Sequence, residues 1–119
     1  MRTKAFFLQR LNDHVQYLKK IEATLAGDGD FEGTDHHSCK LGHWIDGEGP
    51  AEVGALSDPA AMAVFESVKE PHERFHSAGR RAVELKRAGD AAAARQASTE
   101  MHLLSARICR ILLDLDGMK

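Results

Sequence analysis

Residues 65–79 read FESVKEPHERFHSAG, with apolar and histidine side chains mostly three or four positions apart. This spacing places those side chains on one face of an α-helix, as expected for a helix in a bundle. Upstream, Asp58 and Pro59 are typical of an N-cap and a first helical position. Pro71 lacks a backbone N–H, so we expect a kink or a short break just before His72. The predicted buried stripe consists of Phe65, Val68, His72, Phe75, His76 and Gly79.

The first helix is predicted from about Thr3 to Ala26, because its apolar side chains form a similar stripe. The members of this stripe are Phe7, Leu11, Leu18, Ile21 and Leu25. His14 occupies the position that completes the series between Leu11 and Leu18. The first helix therefore directs a histidine towards the core.

The last helix is predicted to follow Gly89 and Asp90, which are typical of a helix stop and of a new N-cap. From there to the end of the chain an apolar rhythm of about seven residues indicates a long bundle helix. Its positions are Ala94, Ala97, Met101, Leu104, Ile108, Ile111 and Leu115.

A short helix is predicted between these elements, after the glycine-rich residues 27–33. Thr34 or Asp35 is expected to cap it, and it should run through Cys39 to about Ile45. Residues 46–50 then form a loop. Because no β pattern, repeat or low-complexity segment competes, the sequence predicts an all-α protein.

The composition of the chain limits its class. Its 119 residues suit a single domain, and 43% apolar and 29% charged residues are typical of a globular protein. The net charge of −2, with basic residues spread along the chain, argues against a nucleic-acid partner. No apolar run approaches the ~20 residues that cross a bilayer, and no signal peptide is evident, so we expect a cytoplasmic protein without membrane insertion. Two cysteines, Cys39 and Cys109, favour a metal or redox role for one thiol over a disulfide framework.

Each candidate metal ligand is ambiguous by itself. His72 and His76 lie four positions apart and can meet one ion from a single helix face, but such pairs also arise by chance. His14 alone fits a hydrogen-bonded core histidine better than a metal ligand. Cys39 alone is equally consistent with a plain buried thiol.

The three motifs occur in order on three separate helical segments. They are His14-Val15-Gln16-Tyr17, Cys39-x-Leu41-Gly42-x-Trp44 and His72-x-x-x-His76. This pattern closely resembles the chemoreceptor zinc-binding domain family, over about Lys4 to Arg80 by motif and over the whole chain by length and helix count. The resemblance implies a single domain over residues 1–119. It also implies a four-helix-type bundle with an additional short helix that carries the cysteine, and a homodimer.

Carried over by position, the resemblance implies that His14, Cys39, His72 and His76 hold one Zn²⁺ ion. Three imidazoles and a thiolate suit this borderline-soft ion in a tetrahedron. Tyr17 and Trp44 are interpreted as packing aromatics around the site. A calcium loop starting at Asp28 is rejected, because Cys39 occupies the place of its closing glutamate.

The remaining thiol and histidines are interpreted as solvated or structural. These are His36, His37, His43, His102 and Cys109.

The resemblance implies a sensory or regulatory zinc module of bacterial signalling, including chemotaxis. Its signal is either zinc availability or an oxidant. In the second case, which is redox sensing, an oxidant such as hypochlorous acid attacks the Cys39 thiolate. We expect no attached signalling domain, and therefore action in trans on a chemoreceptor or a diguanylate cyclase. The alternatives are a metal-free helical interaction protein and a zinc hydrolase. The hydrolase is disfavoured because four protein ligands leave no open position for water, and we expect no enzymatic activity.

Overall fold

The computed structural model describes residues 7–119, and within them the chain forms helices and no strands. The all-α prediction is confirmed. The helices are α1 (Phe7–Leu25), α2 (Lys40–Asp46), α3 (Gly49–Gly54), α4 (Ala61–Glu66), α5 (Lys69–Arg87) and α6 (Ala91–Asp116). None of them has an apolar stretch long enough to cross a bilayer. The predicted start of the first helix, over residues 3–6, lies outside the described residues.

The three long helices α1, α5 and α6 form an elongated bundle of 53 × 20 × 19 Å. α5 and α6 form an antiparallel hairpin, which turns at Gly89 in the left-handed region with φ of +85°. The Asp90 side chain then accepts a hydrogen bond from the Ala93 N–H at 3.1 Å, so the predicted stop and cap are both confirmed. Glycine suits this turn because it has no Cβ to clash at positive φ.

α1 lies in the groove of this hairpin, antiparallel to α6. His14 meets Ser105, and further along α1 the Glu22 carboxylate meets His102 at 2.8 Å. The apolar stripes predicted for α1 and α6 pack against the core, but Leu11, Leu18, Leu25 and Ile111 are only half-buried. Near the end of α6, Leu112 is fully buried in place of Ile111. An α-helix has 3.6 residues per turn, so a strict seven-residue repeat drifts around it over 26 residues.

The break predicted near Pro71 occurs between α4 and α5, at residues 67–68. Pro71 therefore lies in the first turn of α5, where its missing N–H costs little. In a continuous helix the same residue would leave the Ser67 carbonyl without its partner four residues on. At the other end, α4 begins at Ala61 and not at the predicted Pro59, because the Asp58 carboxylate forms a turn by accepting the Ala60 N–H at 2.9 Å.

The short helices differ from the prediction in two ways. α2 begins after Cys39, whereas Asp35 organises the preceding turn through the His37 N–H at 2.9 Å and the Ser38 hydroxyl at 3.0 Å. The loop predicted over residues 46–50 is reduced to a turn at residues 47–48, because α2 extends to Asp46 and α3 begins at Gly49. Pro50 suits the first turn of α3. Glu52 in the same helix accepts a hydrogen bond from the indole N–H of the buried Trp44 at 3.0 Å.

Candidate metal centre

α5 presents His72 and His76 one turn apart on its buried face. Their ring centroids are 4.8 Å apart, the rings are perpendicular, and the residues are 2% and 3% exposed. The helical stripe of residues 65–79 accounts for this placement, because both histidines continue the apolar positions that pack against α1 and α6. The break before Pro71 leaves the pair near the amino-terminal end of α5.

Cys39 approaches the pair from the N-cap of α2. Its Sγ lies 3.3 Å from His72 Nε2 and accepts a hydrogen bond from the Gly42 N–H at 3.2 Å. One ligand atom from each of Cys39, His72 and His76 lies within 4.8 Å of the others. This group combines two imidazoles and one thiol, with no carboxylate among its members.

The glycine of the Cys-x-apolar-Gly motif, Gly42, is needed for close packing of the backbone. A Cβ at this position would collide with the backbone carbonyl oxygen of His36. The turn of residues 36–39 is thus packed directly against the backbone of α2, and this contact fixes Cys39 at the helix start.

The orientation of His76 is set by a backbone carbonyl. His76 Nδ1 is 2.9 Å from the Thr34 carbonyl oxygen, which only accepts hydrogen bonds, so Nδ1 carries the proton and Nε2 keeps a free lone pair. Thr34 is fixed in turn by Tyr17, whose hydroxyl accepts the Thr34 N–H at 2.9 Å and whose ring lies 4.4 Å from that of His76. This is the usual arrangement of outer groups around a metal-binding histidine.

His14 is buried beside this group but does not belong to it. Its Nε2 is 2.8 Å from the Ser105 hydroxyl, and its ring lies 4.6 Å from Phe75. Of the residues predicted to hold the ion, the structure brings together Cys39, His72 and His76 and places His14 next to them, bonded to α6.

Sequence reasoning missed two partners of the site. Ser105 lies beside the apolar stripe of α6. A small polar residue at that position was the one sequence feature that could have pointed to it. Thr34 acts through its carbonyl group, which no side-chain pattern reveals.

Burial keeps the imidazoles neutral near pH 7. Desolvation, followed by repulsion from His76, lowers the pKa of His14 to about 4 and that of His72 to about 3. Desolvation likewise lowers the pKa of His76 to about 4, although its bond to Thr34 opposes the shift. Burial raises the pKa of the Cys39 thiol. Neutral imidazoles are ready to bind a cation, whereas the thiol must release its proton when it binds one.

The other histidines lie outside this group. His36 is half-buried, with its ring 5.9 Å from that of His72, and His43 is exposed. His37 pairs with Asp46 at 2.7 Å on the surface. His102, on the exposed side of α6, pairs with Glu22, as its position off the main stripe indicated.

Comparison with known proteins gives one match. The model of the family described as "Chemoreceptor zinc-binding domain" matches residues 14–83, more than half of the chain. The matched segment starts at His14 and includes Cys39, His72 and His76. Searches of curated proteins and of solved structures found no match.

Proposed function

Because the chain belongs to the chemoreceptor zinc-binding domain family, we propose that it binds one zinc ion and acts as a sensory or regulatory module in bacterial signalling. The observation that carries this proposal is the convergence of Cys39, His72 and His76, whose ligand atoms lie within 4.8 Å of one another. A thiolate with neutral imidazoles is a donor set that favours zinc over calcium or magnesium.

His14 supplies the fourth ligand in this proposal. Its present partner is a single hydroxyl, that of Ser105, and giving up such a hydrogen bond costs about 1 kcal/mol. Structural zinc sites contribute on the order of 10 kcal/mol, so one hydrogen bond does not prevent His14 from joining. Ser105 is then free to bond elsewhere on α6.

Four protein ligands complete a tetrahedron and leave no position for a reactive water, so the proposed module is not an enzyme. Its signal is zinc availability or oxidation of Cys39. In the second case hypochlorous acid oxidises the thiolate to a sulfenic acid and is itself reduced to chloride. Cys39 is accessible for this reaction, because it lines a cavity of about 310 Å³ beside α1.

The output is a movement of α2, because Cys39 caps this helix directly. Weakening its sulfur as a ligand releases the helix start, and with it the buried side chains of Leu41 and Trp44. A chemoreceptor or a diguanylate cyclase is the proposed recipient of that movement, in the cytoplasm.

The proposed assembly is a homodimer through helix faces. Leu8 on α1 and Leu103 and Leu113 on α6 support it, since these large apolar side chains are 53%, 65% and 49% exposed. Light scattering should give twice the chain mass at micromolar concentration. A monomer at high concentration contradicts the dimer without affecting the zinc assignment.

Elemental analysis of the purified protein tests the central claim. We expect about one zinc per chain and a clear fall in melting temperature after removal with a strong chelator, because the ligands come from three segments and metal binding is coupled to folding. Absence of zinc after purification and reconstitution identifies the chain as a metal-free helical interaction protein. Hydrolytic activity that depends on bound zinc would instead support the hydrolase.

A further inference from the structure

A second cavity lies next to α2 and shares no lining residue with the one described above. It encloses about 250 Å³ between α2 and α5, and His72 forms part of its wall. His36, His37 and Asp46 also line it. Since His72 belongs to the metal-binding group as well, this cavity reaches one of the grouped ligands.

His37 at the outer end of this cavity is arranged as a metal ligand. Its Nδ1 lies 2.7 Å from an Asp46 carboxylate oxygen, so in the neutral imidazole Nδ1 donates its proton and Nε2 keeps a free lone pair. A carboxylate behind an imidazole is the arrangement that orients histidines in metal sites. The His37 side chain is 63% exposed, so a cation from solvent reaches it directly.

His36 lies between the surface and the buried group. Its ring centroid is 4.1 Å from that of His37 and 5.9 Å from that of His72. The three imidazoles therefore form a continuous row from solvent to the inner ligands.

The charges of the cavity favour a cation. Asp46 and Glu73 line it, and the one lysine in its wall, Lys69, is paired with Glu66 at 2.9 Å. A cleft with excess negative charge raises the local concentration of cations and their association rate.

From this row we propose that His36 and His37 form an outer, weakly binding site for a divalent metal ion, through which zinc enters and leaves the buried group. This inference rests on the proposed zinc site and assigns a role to the His36-His37 pair, which neither the family motif nor the inner ligand set uses. An entry site changes the rates of binding and release together, whereas a true ligand changes the affinity.

The test uses the full chain in its metal-free form and a His36→Ala/His37→Ala variant. Cobalt(II) is mixed rapidly with each protein, and the cobalt–thiolate absorption band reports arrival at Cys39. Release is followed by adding excess chelator to the zinc-loaded protein. The matched control is His43→Ala, which removes an exposed histidine of α2 that does not line this cavity.

In the double variant we expect entry and release to slow by a similar factor, roughly tenfold, with an unchanged equilibrium affinity and an unchanged control. Wild-type rates in the double variant would overturn the entry site while leaving the zinc assignment intact. A large loss of affinity at equilibrium would also overturn it, because His36 or His37 would then be an inner ligand. If the wild type fails to bind either metal, the proposed function itself has failed.

Discussion

Replacing Gly42 with alanine tests whether the close contact beside Cys39 shapes the site. Alanine in a helix normally stabilises it by up to about 1 kcal/mol relative to glycine. Here the added Cβ collides with the His36 carbonyl oxygen, which is backbone and cannot rotate away. The turn of residues 36–39 must therefore move relative to α2. Overpacking of this kind typically costs about 1–3 kcal/mol, which exceeds the helix gain.

The same movement disturbs the ligands. The Gly42 N–H donates to Cys39 Sγ at 3.2 Å, and that sulfur lies 3.3 Å from His72 Nε2. The net loss, up to about 2 kcal/mol, should lower the melting temperature by roughly 4 °C for each kcal/mol. Zinc affinity should fall about tenfold or more, as for other changes in the groups that orient metal ligands. Thermal unfolding and competition with a chromogenic chelator measure the two effects.

Gly54→Ala is the matched control, because it also places alanine at a helical glycine. The nearest atom to a Cβ there is Met62 Cε at 3.9 Å, an ordinary contact at the end of a flexible side chain. This variant should be at least as stable as the wild type, by up to about 1 kcal/mol, and should keep wild-type zinc affinity. The reasoning is refuted if Gly42→Ala matches Gly54→Ala in both measurements.

Three further predictions concern the ligands and their supports. In the metal-free protein the folded pKa values of the buried histidines, about 3 to 4, lie below the ordinary 6.5. The unfolded chain therefore binds more protons than the folded protein in this range. As the pH drops from about 6.5 towards 4, urea unfolding should show the free energy of unfolding falling by up to about 1.4 kcal/mol per pH unit for each buried histidine. A profile that does not change with pH would contradict buried neutral imidazoles. Cys39→Ala should bind zinc more weakly, through three histidines, and should release no zinc when hypochlorous acid is added. Cys109→Ala should release zinc like the wild type. Equal zinc release from the two variants would exclude the Cys39 switch. Tyr17→Phe removes the acceptor of the Thr34 N–H, so it should cost about 1 kcal/mol of stability and weaken zinc binding through the loosened His76; wild-type affinity in this variant would show that Tyr17 only packs.

The sequence by itself determined the three long helices and the ligand candidates. The 3.6-residue periodicity is a local property, so the buried faces of α1, α5 and α6 follow from residue order alone. The Gly89-Asp90 stop and cap are equally local, because positive φ and an N-cap hydrogen bond involve neighbouring residues. The likeness of the three motifs to one family singled out His14, Cys39, His72 and His76, of which the structure brings the last three together.

Only the tertiary structure decided how those residues are held. Local propensity does not reveal that Cys39 ends a turn rather than continuing a helix, because the deciding contact joins Gly42 to the carbonyl group of a residue outside α2. It also does not reveal that the Thr34 carbonyl fixes the proton of His76, or that Ser105 bonds His14 across 91 positions of the chain. Hydrogen bonds to backbone carbonyls leave no signature in residue types, and partners distant in sequence meet only once the helices have packed.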